Sequence, residues 1–296
     1  MPTASISGVK LYYEVAGQGV PLVWAHEFGG DHESWNPQVR FFSRGYQVIT
    51  YNARGYPPSD VPTDPASYSQ EQAVEDLRGL LNHLGIEQAY IGGLSMGGTT
   101  TLGFGIAHPE MTRGLIVAGA GTGSTDPQRL ASGAREFAAC IEGEGMEVWG
   151  ASYAEGPTRV QLRRKDPKGW ELFRRGVMGH SAVGSALTFR GVQARRPSIF
   201  ALEPALRKLQ VPTLIVVGDE DDPCMEPGIF MKRTIPKSGL VVVPQAGHTV
   251  NLEEPDLFNR VVLDFMLAVE ADRWGGREPT GGVGFLADAE ALGSGR

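Results

Sequence analysis

Ala89-Tyr90-Ile91-Gly92-Gly93-Leu94-Ser95-Met96-Gly97-Gly98 is the stretch on which the reading of this sequence turns. Ala89 to Ile91 is a short apolar run of strand character, and Met96 to Ala107 carries a helical pattern, so Ser95 stands at a strand-to-helix junction. Glycines lie two positions away on each side, at Gly93 and Gly97. An abrupt turn from strand to helix strains the backbone of the residue at its apex, and side chains at the flanking positions would collide with the neighbouring strand and helix. In a chain with 40 glycines, Gly-x-Ser-x-Gly alone is weak evidence. Its place at the junction gives it weight, and no other serine is flanked in this way.

Outward from that turn, strand and helix patterns alternate. Ile6 to Val15, split by Ser7-Gly8, reads as a strand pair, and Pro21 to Ala25, Tyr46 to Tyr51, Gly114 to Ala118, Val211 to Val217 and Leu240 to Val243 read as buried strands. Gln70 to Leu84 places Val74, Leu77, Leu80, Leu81 and Leu84 at helical spacing, and a last helix is predicted from Pro255 to about Glu270. Such alternation predicts the α/β class, with a mostly parallel central sheet flanked by helices. From about Asp126 to Ala205 the strand signal stops, and the segment becomes helical, arginine-rich and broken by Gly and Pro. The expected organisation is therefore a core of residues 1–125 and 206–272, an inserted helical cap of 126–205, and a glycine-rich, loosely packed tail of 273–296.

With 296 residues and 41% hydrophobic content, the chain can bury a core without metals or disulfides. A net charge of −7 argues against an electrostatic nucleic-acid partner, which needs a clustered cationic surface. Two cysteines, Cys140 and Cys224, are too few for a disulfide framework and suit a reducing compartment, with Cys224 read as a small buried hydrophobe. Met1 to Val9 has no basic segment followed by an apolar run, and no stretch approaches the roughly 18 apolar residues of a membrane span. The expectation is a cytoplasmic protein with no membrane and no nucleic acid as partner; a homodimer is compatible with the sequence.

A serine hydroxyl is a poor nucleophile until a base takes its proton, and a carboxylate must hold that base in its productive tautomer. Of six histidines, His248 stands out in Pro244-Gln245-Ala246-Gly247-His248, just after the strand ending at Val243 and ahead of the last helix. For the acid, Gly218-Asp219-Glu220-Asp221-Asp222-Pro223 ends the strand from Val211, and four carboxylates crowd that loop. Serine, acid and histidine thus follow one another in chain order.

On these residues the chain, from about Ile6 to Glu270, resembles the α/β-hydrolase fold family, in particular its enol-lactonase and carbon-carbon bond hydrolase branch. The resemblance implies Asp221 as the acid, fourth in a Gly-x-x-Asp loop, with Asp219 and Asp222 as alternatives. It implies an oxyanion hole built from the backbone amides of Met96 and of Phe28, in His26-Glu27-Phe28-Gly29-Gly30, and neither a cofactor nor a metal. The chain departs from the family at Glu27, where glycine is usual; a carboxylate near a developing oxyanion is unfavourable unless it points away or is hydrogen-bonded. His26 reads as a hydrogen-bonding member of that loop, and Arg54, in a turn resembling the family's Asp-x-Arg-Gly, as a tie between loops.

The predicted cap carries many arginines among aromatic residues, mostly a solvated face. Arg190, beside Phe189, is the candidate for holding a substrate carboxylate, as the resemblance to carbon-carbon bond hydrolases implies. Trp149 is the candidate for contact with an apolar acyl or alcohol portion of a small-molecule substrate. The expected activity is hydrolysis of a carboxylic ester or lactone through an acyl-enzyme. Carbon-carbon bond hydrolysis, acyl transfer, or ligand binding with little turnover are the alternatives on the same three residues.

Overall fold

In the computed structural model, which describes residues 2–276, the strands are β1 (Thr3–Ile6), β2 (Val9–Ala16), β3 (Val20–Ala25), β4 (Tyr46–Tyr51), β5 (Ala89–Leu94), β6 (Thr112–Ala118), β7 (Thr213–Gly218) and β8 (Ser238–Val243). They form one sheet in the order β1-β2-β4-β3-β5-β6-β7-β8. The pairs β1/β2 and β2/β4 are antiparallel, and every pairing from β4 to β8 is parallel. The predicted break at Ser7-Gly8 is the tight turn between β1 and β2, where both residues adopt positive φ.

Before β6 come α1 (Asn36–Phe42), α2 (Gln70–His83) and α3 (Met96–Ala107). Between β6 and β7 lie α4 (Pro127–Ala154), α5 (Val160–Lys165), α6 (Pro167–Met178), α7 (Ala182–Thr188) and α8 (Glu203–Leu206). After β7 comes α9 (Asp222–Thr234), and after β8 come α10 (Val250–Glu253) and α11 (Pro255–Glu270). The helix α2 starts where Ser69 accepts the Gln72 amide, which supplies one of the acceptors that a helix start lacks.

Strand periodicity sorts side chains between two cores. In β3, Leu22 and Trp24 face a core built with α1 and α11, whereas Val23 and Ala25 face one built with α2, α3 and α9. Because both faces are covered, the central strands are apolar throughout rather than alternating, which is what made them legible as short apolar runs. Trp24 and Trp35 stack at 4.3 Å in the first core.

The segment between β6 and β7 packs a third apolar cluster that includes Phe28 and Met96 from the loops at the sheet's edge. Its helix α4 kinks at Gly145, whose φ of 81° is outside helical geometry. Arg190 sits in a single π-helical turn, Phe189–Gln193. Two helices that the periodicity did not single out, α1 and α9, are short or start inside the acidic loop. Within the segment read as a tail from residue 273, Trp274 packs edge-on to Phe265 and donates to Lys237 O. The rest of that tail lies outside the described residues. Among the described residues no helix is long and apolar enough to cross a membrane.

Candidate active site

Ser95 has φ 57° and ψ −110°, the strained conformation that the junction demands. Its amide donates to Ala118 O of the neighbouring β6, and its carbonyl accepts Thr99 N within α3, so the sheet and the helix both fix the turn. The flanking glycines are required by close approach. A Cβ on Gly93 would lie 2.3 Å from Gly97 O, and one on Gly97 would lie 2.0 Å from Ala25 O. Only a chain without side chains at both positions can cross β3 and enter α3 there.

His248 and Asp221 arrive from the ends of β8 and β7, which are parallel neighbours, so their following loops emerge at the same edge. Nδ1 of His248 lies 2.8 Å from Oδ2 of Asp221, and both side chains are buried. Burial by itself would lower the His248 pKa; the charge and hydrogen bond of Asp221 outweigh it, and the net shift is well above the ordinary histidine value. The other acids of the loop are engaged elsewhere. Asp219 accepts Ala246 N, Glu220 accepts Gln161 Nε2, and Asp222 is exposed in the first turn of α9.

Cys224 completes a group with Asp221 and His248 whose ligand atoms lie within 4.8 Å of one another. Its thiol donates to Gly119 O, and burial raises its pKa.

Ser95 and His248 line one cavity of about 490 Å³ together with Phe28, Phe137, Tyr153 and Phe189. The Phe28 amide has no acceptor among the described residues, and Met96 opens α3, where the first amides have no intrahelical partner. The Phe28 ring lies 4.0 Å from Phe189 and 5.8 Å from Trp149. Trp149 itself stands behind the wall, stacked on Tyr153 at 4.9 Å. Arg190 is not brought to the cavity: its guanidinium pairs with Glu142 at the surface. The cationic groups that do line it are Arg129 and Arg196.

His26 and Arg54 hold loops. Nε2 of His26 accepts the Ala53 amide, so Nδ1 carries the proton and donates to Glu27 O at 2.6 Å. Arg54 forks onto both oxygens of Asp76 and reaches Ser67 O. Glu27 is buried and accepts from both terminal nitrogens of Arg159, a residue of the segment between β6 and β7.

Sequence reasoning missed Arg159, Thr158 and Glu253. Thr158 O accepts the His248 amide at 3.3 Å. Glu253 accepts Gly247 N, Thr249 N and Thr249 Oγ1, gripping the loop on both sides of His248. The departure at Glu27 was the only available signal for Arg159; its partner lies 132 positions away.

The family model described as alpha/beta hydrolase fold matches residues 20–255. The chain is similar to 3-oxoadipate enol-lactonase 2 of Acinetobacter baylyi, at 27% identity over 263 residues, 88% of this chain and 94% of that protein. It is also similar to the 2-hydroxy-6-oxononadienedioate/2-hydroxy-6-oxononatrienedioate hydrolase of Paraburkholderia xenovorans, at 30% identity over 285 residues, 87% and 91% of the two chains. Among solved structures it is similar to a thermophilic esterase from Thermogutta terrifontis, with TM-score 0.80 and 28% identity over 90% of this chain and 98% of that one.

Proposed function

The chain belongs to the alpha/beta hydrolase fold family, and from that premise we propose that it is a serine hydrolase opening a carboxylic ester or lactone through an acyl-enzyme. Ser95 Oγ attacks the carbonyl while His248 Nε2 takes its proton; Asp221 accepts from Nδ1–H and so keeps Nε2 free for the serine. The amides of Phe28 and Met96 receive the oxygen that becomes negative, each worth about 3 kcal/mol in the transition state. His248 then returns the proton to the leaving alkoxide, and water, deprotonated by the same imidazole, releases the acyl group.

The observation that carries this reading is the 2.8 Å Asp221–His248 contact, which opens on the same cavity as a serine held at positive φ. Aromatic walls suit an apolar acyl part. Arg196 adds a charge requirement: it lines the cavity, its guanidinium donates to Thr122 O, and no carboxylate among the described residues pairs with it. A guanidinium left in this state favours a substrate carrying a carboxylate, and the names of two relatives, an oxoadipate lactonase and a nonadienedioate hydrolase, support that class. The second of these keeps carbon-carbon bond hydrolysis as the alternative on the same residues. Two free cysteines, one exposed, suit a reducing, cytoplasmic compartment.

A fluorophosphonate probe should label Ser95, and a panel of p-nitrophenyl esters, lactones and vinylogous diketones should give multiple turnovers that Ser95→Ala loses. Unlabelled protein, or a fully active Ser95→Ala variant, would overturn the proposal.

A further inference from the structure

Glu27 stands in the loop that carries the Phe28 amide, and its carboxylate lies one residue from that amide. It is 2% exposed, and water cannot screen it. Arg159 meets it with Nη1 to Oε1 at 3.1 Å and Nη2 to Oε2, while Nη2 also donates to Tyr153 Oη at 2.9 Å. The guanidinium carbon lies 4.5 Å from the Phe173 ring centre and 5.3 Å from that of Tyr153. Aromatic faces and a fork onto one carboxylate are an environment in which the cation remains charged, and Glu27 raises the Arg159 pKa further against the lowering effect of burial. The preceding residue, Thr158, is the one whose carbonyl accepts the His248 amide. A two-residue step between α4 and α5 therefore touches both loops that the proposed chemistry needs.

Resting on the proposed serine mechanism, we propose that Arg159 is a positioning residue: it cancels the Glu27 charge beside the oxyanion-binding amides and, with Thr158, locks the Phe28 and His248 loops to the inserted helices. An unpaired buried pair member is costly, and an ionised Glu27 without Arg159 would oppose the charge developing one residue away.

The other groups facing Glu27 bring no second positive charge to it near neutral pH. Burial holds His26 below the usual histidine range and lowers His180 to about 4, so both are neutral. Burial holds Tyr56 well above the usual phenol range. Tyr153 is the hydroxyl bonded to Arg159, and Asp31 acts on His26 from the same loop.

The test is kcat and KM on a p-nitrophenyl ester, at the parent's pH optimum, for the parent, R159M, R159K and E27Q/R159M, with fluorophosphonate labelling of Ser95 scored in parallel. R159M should lose on the order of 100-fold in kcat, the scale of one oxyanion donor, with KM little changed. R159K, which keeps the charge, and E27Q/R159M, a neutral pair, should each recover most of the rate. A loss in R159M that E27Q does not restore would overturn the proposal, as would a loss carried by KM alone. Should R159M not fold, R159K and the double variant decide: both active support it, and a folded double variant as inactive as Ser95→Ala overturns it. A parent that does not label at Ser95 sinks the serine mechanism instead, and the two failures are thereby told apart.

Discussion

Oδ2 of Asp221 lies 2.8 Å from Nδ1 of His248, while the other oxygen of the same carboxylate has no hydrogen-bond partner among the described residues. The carboxylate is therefore committed to the imidazole, and it is the reason the His248 pKa is raised rather than lowered by burial. In the proposed mechanism the unprotonated imidazole is the base, so the parent rate should rise with pH through that elevated pKa. Asp221→Asn removes the charge and leaves burial dominant, so the ascending limb should move to lower pH. The maximal rate should nonetheless fall by about 10⁴-fold, because an amide does not fix the tautomer. A pH–rate profile of both proteins checks this; a limb that stays in place would remove Asp221 from the role.

Gly97→Ala should damage the elbow itself. The new Cβ would meet Ala25 O at 2.0 Å and Ala25 C at 2.5 Å, both backbone atoms with no flexible end to yield. A destabilisation at or above the usual 1–3 kcal/mol of overpacking is expected in urea unfolding, together with loss of probe labelling at Ser95. A variant of parental stability would show that β3 and α3 tolerate separation.

Glu253→Gln tests the grip on the histidine loop. The carboxylate accepts three donors, and an amide oxygen replaces only one of its two acceptor atoms while bringing an NH₂ against backbone N–H groups. A loss of about 1–3 kcal/mol in stability is expected, with kcat lowered and KM little changed. An unaltered kcat would mean that the loop holds its shape without Glu253.

The two arginines should separate by substrate. Arg190→Gln removes a partly exposed ion pair with Glu142, which is worth about 0–1 kcal/mol, and should leave ester turnover unchanged. Arg196→Gln should lower the kcat/KM ratio of a mono-p-nitrophenyl dicarboxylate over its neutral analogue by about tenfold or more, one charge-assisted contact. Equal losses on both esters would assign Arg196 to packing alone.

Much of the fold was legible because its signals are local. Buried parallel strands are apolar on both faces, so Ala89 to Leu94 and Thr213 to Gly218 announce themselves as runs, and α2 and α11 carry the period of their buried stripes. The helix α1 did not, being seven residues long, too short for a periodic stripe. Arg190 was chosen from its sequence neighbours, but which way a side chain leaves a π-helical turn is set by the backbone there, and Glu142, 48 positions away, claimed it.

The sequence by itself determined the elbow at Ser95, because a glycine two places to either side is a steric requirement written within five residues. It also determined the order of serine, acidic loop and histidine along the chain. Only the tertiary structure decided which of four crowded acids turns inward to His248, that Arg196 rather than Arg190 reaches the cavity, and that the buried charge of Glu27 is met by Arg159. Each of these is a contact between segments far apart in sequence, fixed by how the loops at one edge of the sheet pack beneath the inserted helices. Hydrophobic periodicity records which face of an element is buried; it does not record which charge on another element it will meet.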